Sequence, residues 1–508
     1  MTPNIETLAP PPTRRAVIAG AAGVGIALAG AMAFARKEGK EAPNLVLIMS
    51  DEHNAKLMGC TGRSTILTPA MDGLAAQGAR LNRCYAAAPI CAPARQSLLT
   101  GLYPPEHGQL GNQFVFSKEG RTVFHHLHDM GYRTAAFGKL HANDPDNDLG
   151  FQERASEGEN QEYHALCARL RRGEYLTDEA DIAENKLFRR MGDPHLWAAP
   201  LPEGEEHPDA RTLRDALDYL HKHRRQRFAM VCSFILPHHP WVVPSEYYHR
   251  FDPETIDVPK VLRNDLDDSP WALQRYFKEG FWDMGPRAHR LCRARYYGAV
   301  AYVDSLVGQV LDRIDALGLA ENTLVIYCSD HGDMVGEKGL WRKTLMFDGA
   351  EQIPAIVRLP GVIPAGVVRE QLINQVDLMQ SAVGLMGLEP MADVSGQDLS
   401  ACLREDAPGP TFTYSVEGAS PNGGAPHMLM VRSDRYKYVR YNEDFGTGQM
   451  VAELYDMAED PDEVNNLAGM PAGMQAELDH AAEADRFFAA LRPCPWPIER
   501  YEGTEKED

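Results

Sequence analysis

The sequence predicts an α/β fold, a large and mainly parallel sheet flanked by helices, followed by a smaller C-terminal α+β subdomain with an antiparallel sheet. Three observations carry this. Four short apolar runs, at 44–50, 132–137, 227–236 and 323–328, each pass directly into polar or ionisable residues, as strands buried on both faces do when they end at a cleft. Apolar residues at helical spacing, clearest at 122–130 and 299–317, supply connecting helices. Beyond about residue 387 the texture changes to Pro and Gly loops and three strand-like runs, at 428–432, 436–441 and 453–457. With 508 residues the chain accommodates a main domain at 36–387 and a subdomain at 388–508.

From the N-terminus, Arg14-Arg15 precedes an uncharged, Ala- and Gly-rich run at 16–35 that ends in Ala33-Phe34-Ala35. This is the pattern of a Tat-type signal peptide, residues 1–35, read by the Tat export machinery and cleaved after its small residues, with an uncleaved, weakly apolar membrane anchor as the alternative. A periplasmic or secreted location is expected. Tat substrates cross the membrane folded, so any cytoplasmic modification precedes export. Residues 153–209 form a charged, irregular insertion near the mouth of the cleft, of the kind that selects substrates. Near the other end, Asp460-Pro461-Asp462-Glu463 and Asn465-Asn466 make a turn into a last helix.

The charge balance, 51 Lys+Arg against 72 Asp+Glu for a net of -21, contains no basic block, which argues against nucleic acid and anionic membranes as partners. An anionic ligand would need positive charge gathered locally. Nine cysteines are scattered without CxxC pairs, so no zinc knuckle or disulfide framework is encoded; Cys232 and Cys328, inside apolar runs, are core residues.

Chemistry concentrates in Cys91-Ala92-Pro93-Ala94-Arg95, a lone thiol before a Pro-initiated helix, where backbone amides and the helix dipole favour an anion. Asp51-Glu52 ends the first strand and Asp330-His331 ends the fourth. Such an oxygen-rich set fits a hard divalent cation: carboxylates favour calcium or magnesium, and the imidazole leaves room for zinc or manganese. Lys139 and His141 follow the second strand, His238 and His239 the third, and Lys343 lies downstream of His331. Singly, such residues are surface lysines, loop histidines or an arginine paired with an acid. In this order, most of them just after apolar runs, they define one site.

These motifs resemble the type I sulfatases of the alkaline phosphatase superfamily, arylsulfatase- and choline-sulfatase-like members among them, over most of residues 44–360. The resemblance rests on Asp51-Glu52, Cys91 to Gly101, Gly138 to His141, Pro237 to Pro240, Ser329 to Asp333 and Gly336 to Lys343. It implies an alkaline-phosphatase-like fold and oxidation of Cys91 to 3-oxoalanine (formylglycine) by a formylglycine-generating maturation enzyme. The hydrated aldehyde would then be the gem-diol nucleophile that releases inorganic sulfate from an organic sulfate ester. Asp51, Glu52, Asp330 and His331 would hold the cation, calcium ahead of magnesium, manganese or zinc. Arg95 would orient the diol, Lys139 and Lys343 would clamp sulfate oxygens, His238 would be general acid and His141 the base that regenerates the aldehyde.

Several positions depart from the family's commoner residues: Ala94 for Ser, His331 for Asn, Glu52 for Asp or Gln, Leu140 for Trp or Met, and Lys338 for His. Phosphonate and phosphodiester hydrolases of the superfamily also depart from Ser at the position of Ala94, and His331 is shared with choline-sulfatase-like and phosphonate-hydrolase-like relatives, so a phosphonate monoester or phosphodiester hydrolase is the alternative. A non-catalytic binding relative is disfavoured, because no catalytic position carries an inert residue. Substrate class, whether glycan, aryl or small alkyl sulfate, and oligomeric state stay open. Maturation exchanges the thiol sulfur for an aldehyde oxygen, so the Cys91 peptide of active enzyme is expected to weigh less than its encoded sequence in a mass spectrum. An intact thiol in active enzyme would overturn this mechanism.

Overall fold

An uninterrupted run such as Asn44–Ser50 is stable only with both faces covered, and as strand β1 it lies inside an eight-stranded sheet with every residue buried. The computed structural model describes residues 42–62, 65–155, 159–174, 176, 178–190, 196–259, 284–418, 427–442 and 451–501. The expected signal peptide lies outside them. The other strands of this sheet are β2 (Ala79–Tyr85), β3 (Arg133–Gly138), β4 (Glu153–Ala155), β6 (Phe228–Ser233), β8 (Thr323–Ser329), β9 (Ala355–Arg358) and β10 (Val367–Asn374). Their order is β10-β2-β9-β8-β1-β6-β3-β4, all parallel except β9, which runs antiparallel to both neighbours. A separate parallel pair joins β5 (Ala198–Pro200) to β7 (Trp241–Val243).

The described helices longer than six residues are α1 (Pro69–Gln77), α2 (Cys91–Thr100), α3 (Val123–Asp129), α4 (Glu159–Arg171), α5 (Glu179–Arg190), α6 (Pro208–His223), α7 (Gly285–Ala316), α8 (Gln375–Leu385) and α9 (Met474–Ala490). Val46 and Ile48 of β1 share one core with Met71 and Leu74 of α1, Leu213 and Leu220 of α6, and Val300, Val303 and Val307 of α7. Helix α2 packs against α8. Among the described residues no helix is long and apolar enough to cross a membrane.

All four anticipated strands are present. The second anticipated helix, however, begins at Gly285 rather than near 299, because Arg293 and Arg295 break its apolar pattern and are nonetheless buried on partners. Arg295 forks onto Glu184 of α5 at 2.7 Å, and Arg293 donates to Tyr297 Oη at 2.7 Å. The stretch 153–209 is not irregular, since it holds α4 and α5. Tyr163, Leu166, Cys167 and Leu170, at helical i, i+3, i+4 and i+7 spacing, pack into the main core. Strands β2, β9 and β10 were not legible in the sequence.

The C-terminal sheet is antiparallel, in the order β11 (Thr413–Glu417), β12 (Met428–Arg432), β13 (Tyr436–Tyr441) and β14 (Val451–Asp456), one strand more than the sequence suggests. It meets the main domain at Glu351, which ends a short helix at Asp348–Glu351 and whose wholly buried Oε1 accepts from Ser415 Oγ of β11 at 2.9 Å while Oε2 has no partner. Burial, only partly offset by the Ser415 hydrogen bond, pushes the Glu351 carboxyl up from 4.5 to about 8. Between those values the folded chain keeps a proton that the unfolded chain has lost, so this group's contribution to stability falls as pH rises. Glu351→Gln is expected to flatten the decline of Tm between about pH 5 and about pH 8. A slope identical to wild type would mean that Glu351 is ionised in the fold.

Candidate active site

Parallel register brings the four polar strand ends together. Ser50 of β1 is level with Ser329 of β8, Met49 with Ser233 of β6, and Gly138 of β3 with the same Ser233. Asp51-Glu52, Asp330-His331, Lys139 and the loop carrying His238 therefore leave one edge of the sheet side by side. Two glycines make the packing possible. A Cβ at Gly138 (φ 88) would stand 2.0 Å from the Ser233 carbonyl, and one at Gly332 would stand 2.2 Å from that of Gly349.

Helix α2 begins at Cys91 itself, with Pro93 inside the first turn, where a missing N–H costs no intrahelical bond. The Ala92 N–H donates to Asn112 Oδ1 at 2.9 Å. Every residue of α2 is buried. Cys91 Sγ lies 3.1 Å from Lys343 Nζ, 3.2 Å from His331 Nε2 and 3.6 Å from Asp51 Oδ1.

One helical turn on, Arg95 ties all four strand ends. Its Nε donates to Asp330 Oδ2 at 2.7 Å and its Nη2 to Asp51 Oδ2 at 3.0 Å; Nη1 reaches Ser233 Oγ at 2.8 Å and the Lys139 carbonyl. The guanidinium is thus engaged by the strand ends, a role the motif alone did not suggest. Lys139 Nζ also meets Asp51 Oδ2, at 2.7 Å. Burial opposes ionisation of Asp51, but Lys139, Arg95 and Lys343 outweigh it and hold the carboxyl well below its usual range.

The ligand atoms of Asp51, Cys91, Asp330 and His331 lie within 4.8 Å of one another, all buried. Two carboxylates and an imidazole so placed suit a divalent cation. Burial works against a charged His331, but Asp330 and Cys91 raise it to about 10. Glu52, the fourth ligand expected, falls in a second group with His238 and His239. Its Oε2 lies 3.1 Å from His239 Nδ1, 3.4 Å from His238 Nε2 and 3.7 Å from Lys343 Nζ. The backbone explains this, because Glu52 sits at φ 65, which turns it away from the line of β1.

His238 stacks on His239 with ring centroids 4.2 Å apart, and its Nε2 lies 2.7 Å from Lys343 Nζ. Burial and then Lys343 hold His238 well below the ordinary imidazole value, so it is neutral and accepts from the ammonium. His141 stands two residues beyond Lys139, half-buried at φ 60, its carbonyl accepting from Gln109 Nε2 at 3.1 Å.

Two supporting residues, Asp209 and Gln375, escaped the sequence reading, and a third, Asp333, entered it only as the end of the motif from Ser329. Asp209, in the first turn of α6, accepts from the Ile235 and Leu236 N–H groups at 2.7 and 3.1 Å and so fixes the loop to His238. Gln375, the first residue of α8, donates to the Asp330 carbonyl at 2.7 Å. Asp333 accepts from the Val335 and Arg342 N–H groups at 2.6 and 3.1 Å and shapes the loop to Lys343. Only the position of Asp209 just after Pro208 carried a local signal, that of a helix start.

A mainly parallel sheet here collects acids, lysines and histidines around one buried cysteine. Residues 43–388 match the family model described as Sulfatase, and residues 336–484 match that of the N-sulphoglucosamine sulphohydrolase C-terminal region. The chain belongs to the sulfatase family and is a sulfuric ester hydrolase.

It is 26% identical to a choline-sulfatase of Rhizobium meliloti, over 92% of this chain and 89% of that protein. It is 24% identical to an N-acetylglucosamine-6-O-sulfatase of Bacteroides thetaiotaomicron, over 85% and 84%. A phosphonate monoester hydrolase from Silicibacter pomeroyi superposes with a TM-score of 0.71 at 22% identity, covering 89% of this chain and 96% of that one, which is a likeness of fold. The family in general carries a metal and a cysteine-derived formylglycine.

Replacing Arg95 by Met would leave Asp51 and Asp330 short of a buried cation, and the expected cost is about 3–5 kcal/mol of stability. It reads out as a lower denaturant midpoint at an unchanged slope. Arg95→Lys should recover only part, because an ammonium cannot fork between two carboxylates.

Proposed function

We propose that this sulfuric ester hydrolase uses Cys91, matured to formylglycine, together with one divalent cation, calcium being the ion that best suits the oxygen-rich cradle. The observation that carries the reading is the buried quartet of Asp51, Asp330, His331 and Cys91, which puts the residue to be matured among the ligands. When bound, the cation supplies Lewis-acid polarisation and lowers the pKa of an oxygen nucleophile, which a soft thiol could not replace.

The chain's own residues do the rest. Arg95 fixes the two aspartates at the separation a cation needs. Lys139 and Lys343 present their ammonium groups to sulfate oxygens, whose charge grows in the transition state. His238 and Lys343, 2.7 Å apart, share a proton that is delivered to the departing ester oxygen. Glu52 orients the histidine pair and remains the candidate fourth ligand. His141 takes a proton from the matured residue to close the cycle. Burial of Asp51, Glu52, Arg95, Lys139, Asp330, His331 and Lys343 excludes bulk water from them, which strengthens each of their contacts.

Cys91 is 1% exposed in the fold, so the maturation enzyme must act before α2 docks. Export of the folded product by the Tat machinery follows from Arg14-Arg15 and gives a periplasmic or secreted enzyme. In this reading residues 36–387 are the catalytic domain and 388–508 a supporting subdomain.

Parallel assays on aryl sulfates, choline sulfate, sulfated glycans and an aryl phosphonate monoester test the reading. A sulfate ester is expected to have the highest kcat/KM, and Cys91→Ala should abolish turnover. Phosphonate turnover faster by orders of magnitude, or a fully active Cys91→Ala, would sink it.

A further inference from the structure

The loop 338–348 carries Lys343 at its middle and is fastened at both ends to one residue of the C-terminal subdomain, Glu463. Lys338 Nζ donates to the Glu463 carbonyl at 2.6 Å, and the Asp348 N–H donates to Glu463 Oε2 at 2.8 Å. Lys437 of β13, with no exposed side-chain surface, closes the arrangement. Its Nζ donates to Glu463 Oε1 at 2.7 Å, to the Met346 carbonyl at 3.2 Å and to the Asp348 carboxylate.

Within the loop, the Arg342 N–H is held by Asp333 at 3.1 Å and the Thr344 N–H by the Pro89 carbonyl at 2.9 Å, so Lys343 is bracketed on both sides. Its Nζ then stands 3.1 Å from Cys91 Sγ.

The cluster balances two acids against two lysines and is buried, so water cannot stand in for a lost partner. Backbone torsion sharpens its purpose. Lys338, Arg342, Thr344 and Glu463 all adopt left-handed φ, between 55 and 71, a conformation that side chains keep only where their surroundings dictate it. A lysine has a long flexible stem, and an ammonium can hold a substrate oxygen reproducibly only if its backbone is fixed. The tie to β13 supplies that fixing, and Lys338, where the family commonly has His, makes one of its bonds.

We propose that Lys338, Asp348, Lys437 and Glu463 form a positioning clamp through which the C-terminal sheet sets the place of Lys343 against the sulfate group of the substrate. The proposal rests on reading Lys343 as a ligand of sulfate oxygen.

The test compares matured full-length enzyme with Lys343→Ala, Lys338→Met, Lys338→Arg and Lys437→Met. Each is measured for Tm, formylglycine content, kcat and KM on an aryl sulfate, and competitive inhibition by inorganic sulfate. Lys343→Ala is expected to lose most turnover and sulfate affinity. Lys338→Met should keep its formylglycine content yet bind inorganic sulfate about fivefold more weakly and lose about tenfold in kcat/KM, with Lys338→Arg recovering most of both. Lys437→Met should move the same quantities further; if it does not fold, the Lys338 pair decides alone. A Lys338→Met enzyme with lower Tm but wild-type sulfate inhibition and kcat/KM would overturn the clamp. A Lys343→Ala enzyme with wild-type inhibition and turnover would instead overturn the role of Lys343.

Discussion

A single guanidinium holds this site in register. Asp51 and Asp330 end adjacent parallel strands with no exposed surface, and two buried carboxylates that close together repel unless a cation lies between them. Arg95 supplies that charge, and its remaining N–H groups bind Ser233 and the Lys139 carbonyl, so β1, β8, β6 and β3 are all fastened through it. The burial of α2 on every side follows, because its arginine must reach the sheet edge from within the protein. Cys91, on the same helix, is carried into the centre of the charged cluster.

The same bookkeeping explains how a chain of net charge -21 can receive an anion. Once His331 gives up its proton to act as a ligand, Asp51, Glu52 and Asp330 are balanced locally by Arg95, Lys139 and Lys343, three against three. A divalent cation added to a balanced cradle makes it positive, and only there. Non-glycine residues with left-handed backbone, among them Glu52, His141, Lys338, Arg342 and Thr344, cluster around this cradle. Such conformations persist where packing over-determines them, and here they aim side chains that regular strands could not.

Fold and chemistry have different reach. The choline-sulfatase and the N-acetylglucosamine-6-O-sulfatase match this chain over similar lengths at similar identity, and a phosphonate hydrolase shares the architecture. The two sulfatases are named for different alcohols of the ester, and the phosphonate hydrolase for a different central atom, differences that a shared fold leaves to its site and loops. In this chain α4 and α5 of the 153–209 stretch are anchored to the core through Tyr163, Leu170 and the Arg295–Glu184 pair.

The sequence by itself determined the four central strands, because strands covered on both faces must be apolar throughout and cannot be disguised. It also singled out Cys91, Arg95, Asp51, Asp330, His331, Lys139, His238 and Lys343, which the fold brings into one cluster, because they stand in motifs whose chemistry is local. The short or alternating strands β2, β9, β10 and β11 and the charged helices of the insertion were hidden, since their stability comes from partners far along the chain. Only the tertiary structure decided that Glu52 keeps company with His238 and His239, that Arg95 serves the strand ends, and that Glu463 and Lys437 hold the loop of Lys343. The physical reason is that a buried charge is placed by whichever opposite charge the fold brings to it, and those partners lie anywhere from tens to hundreds of residues away.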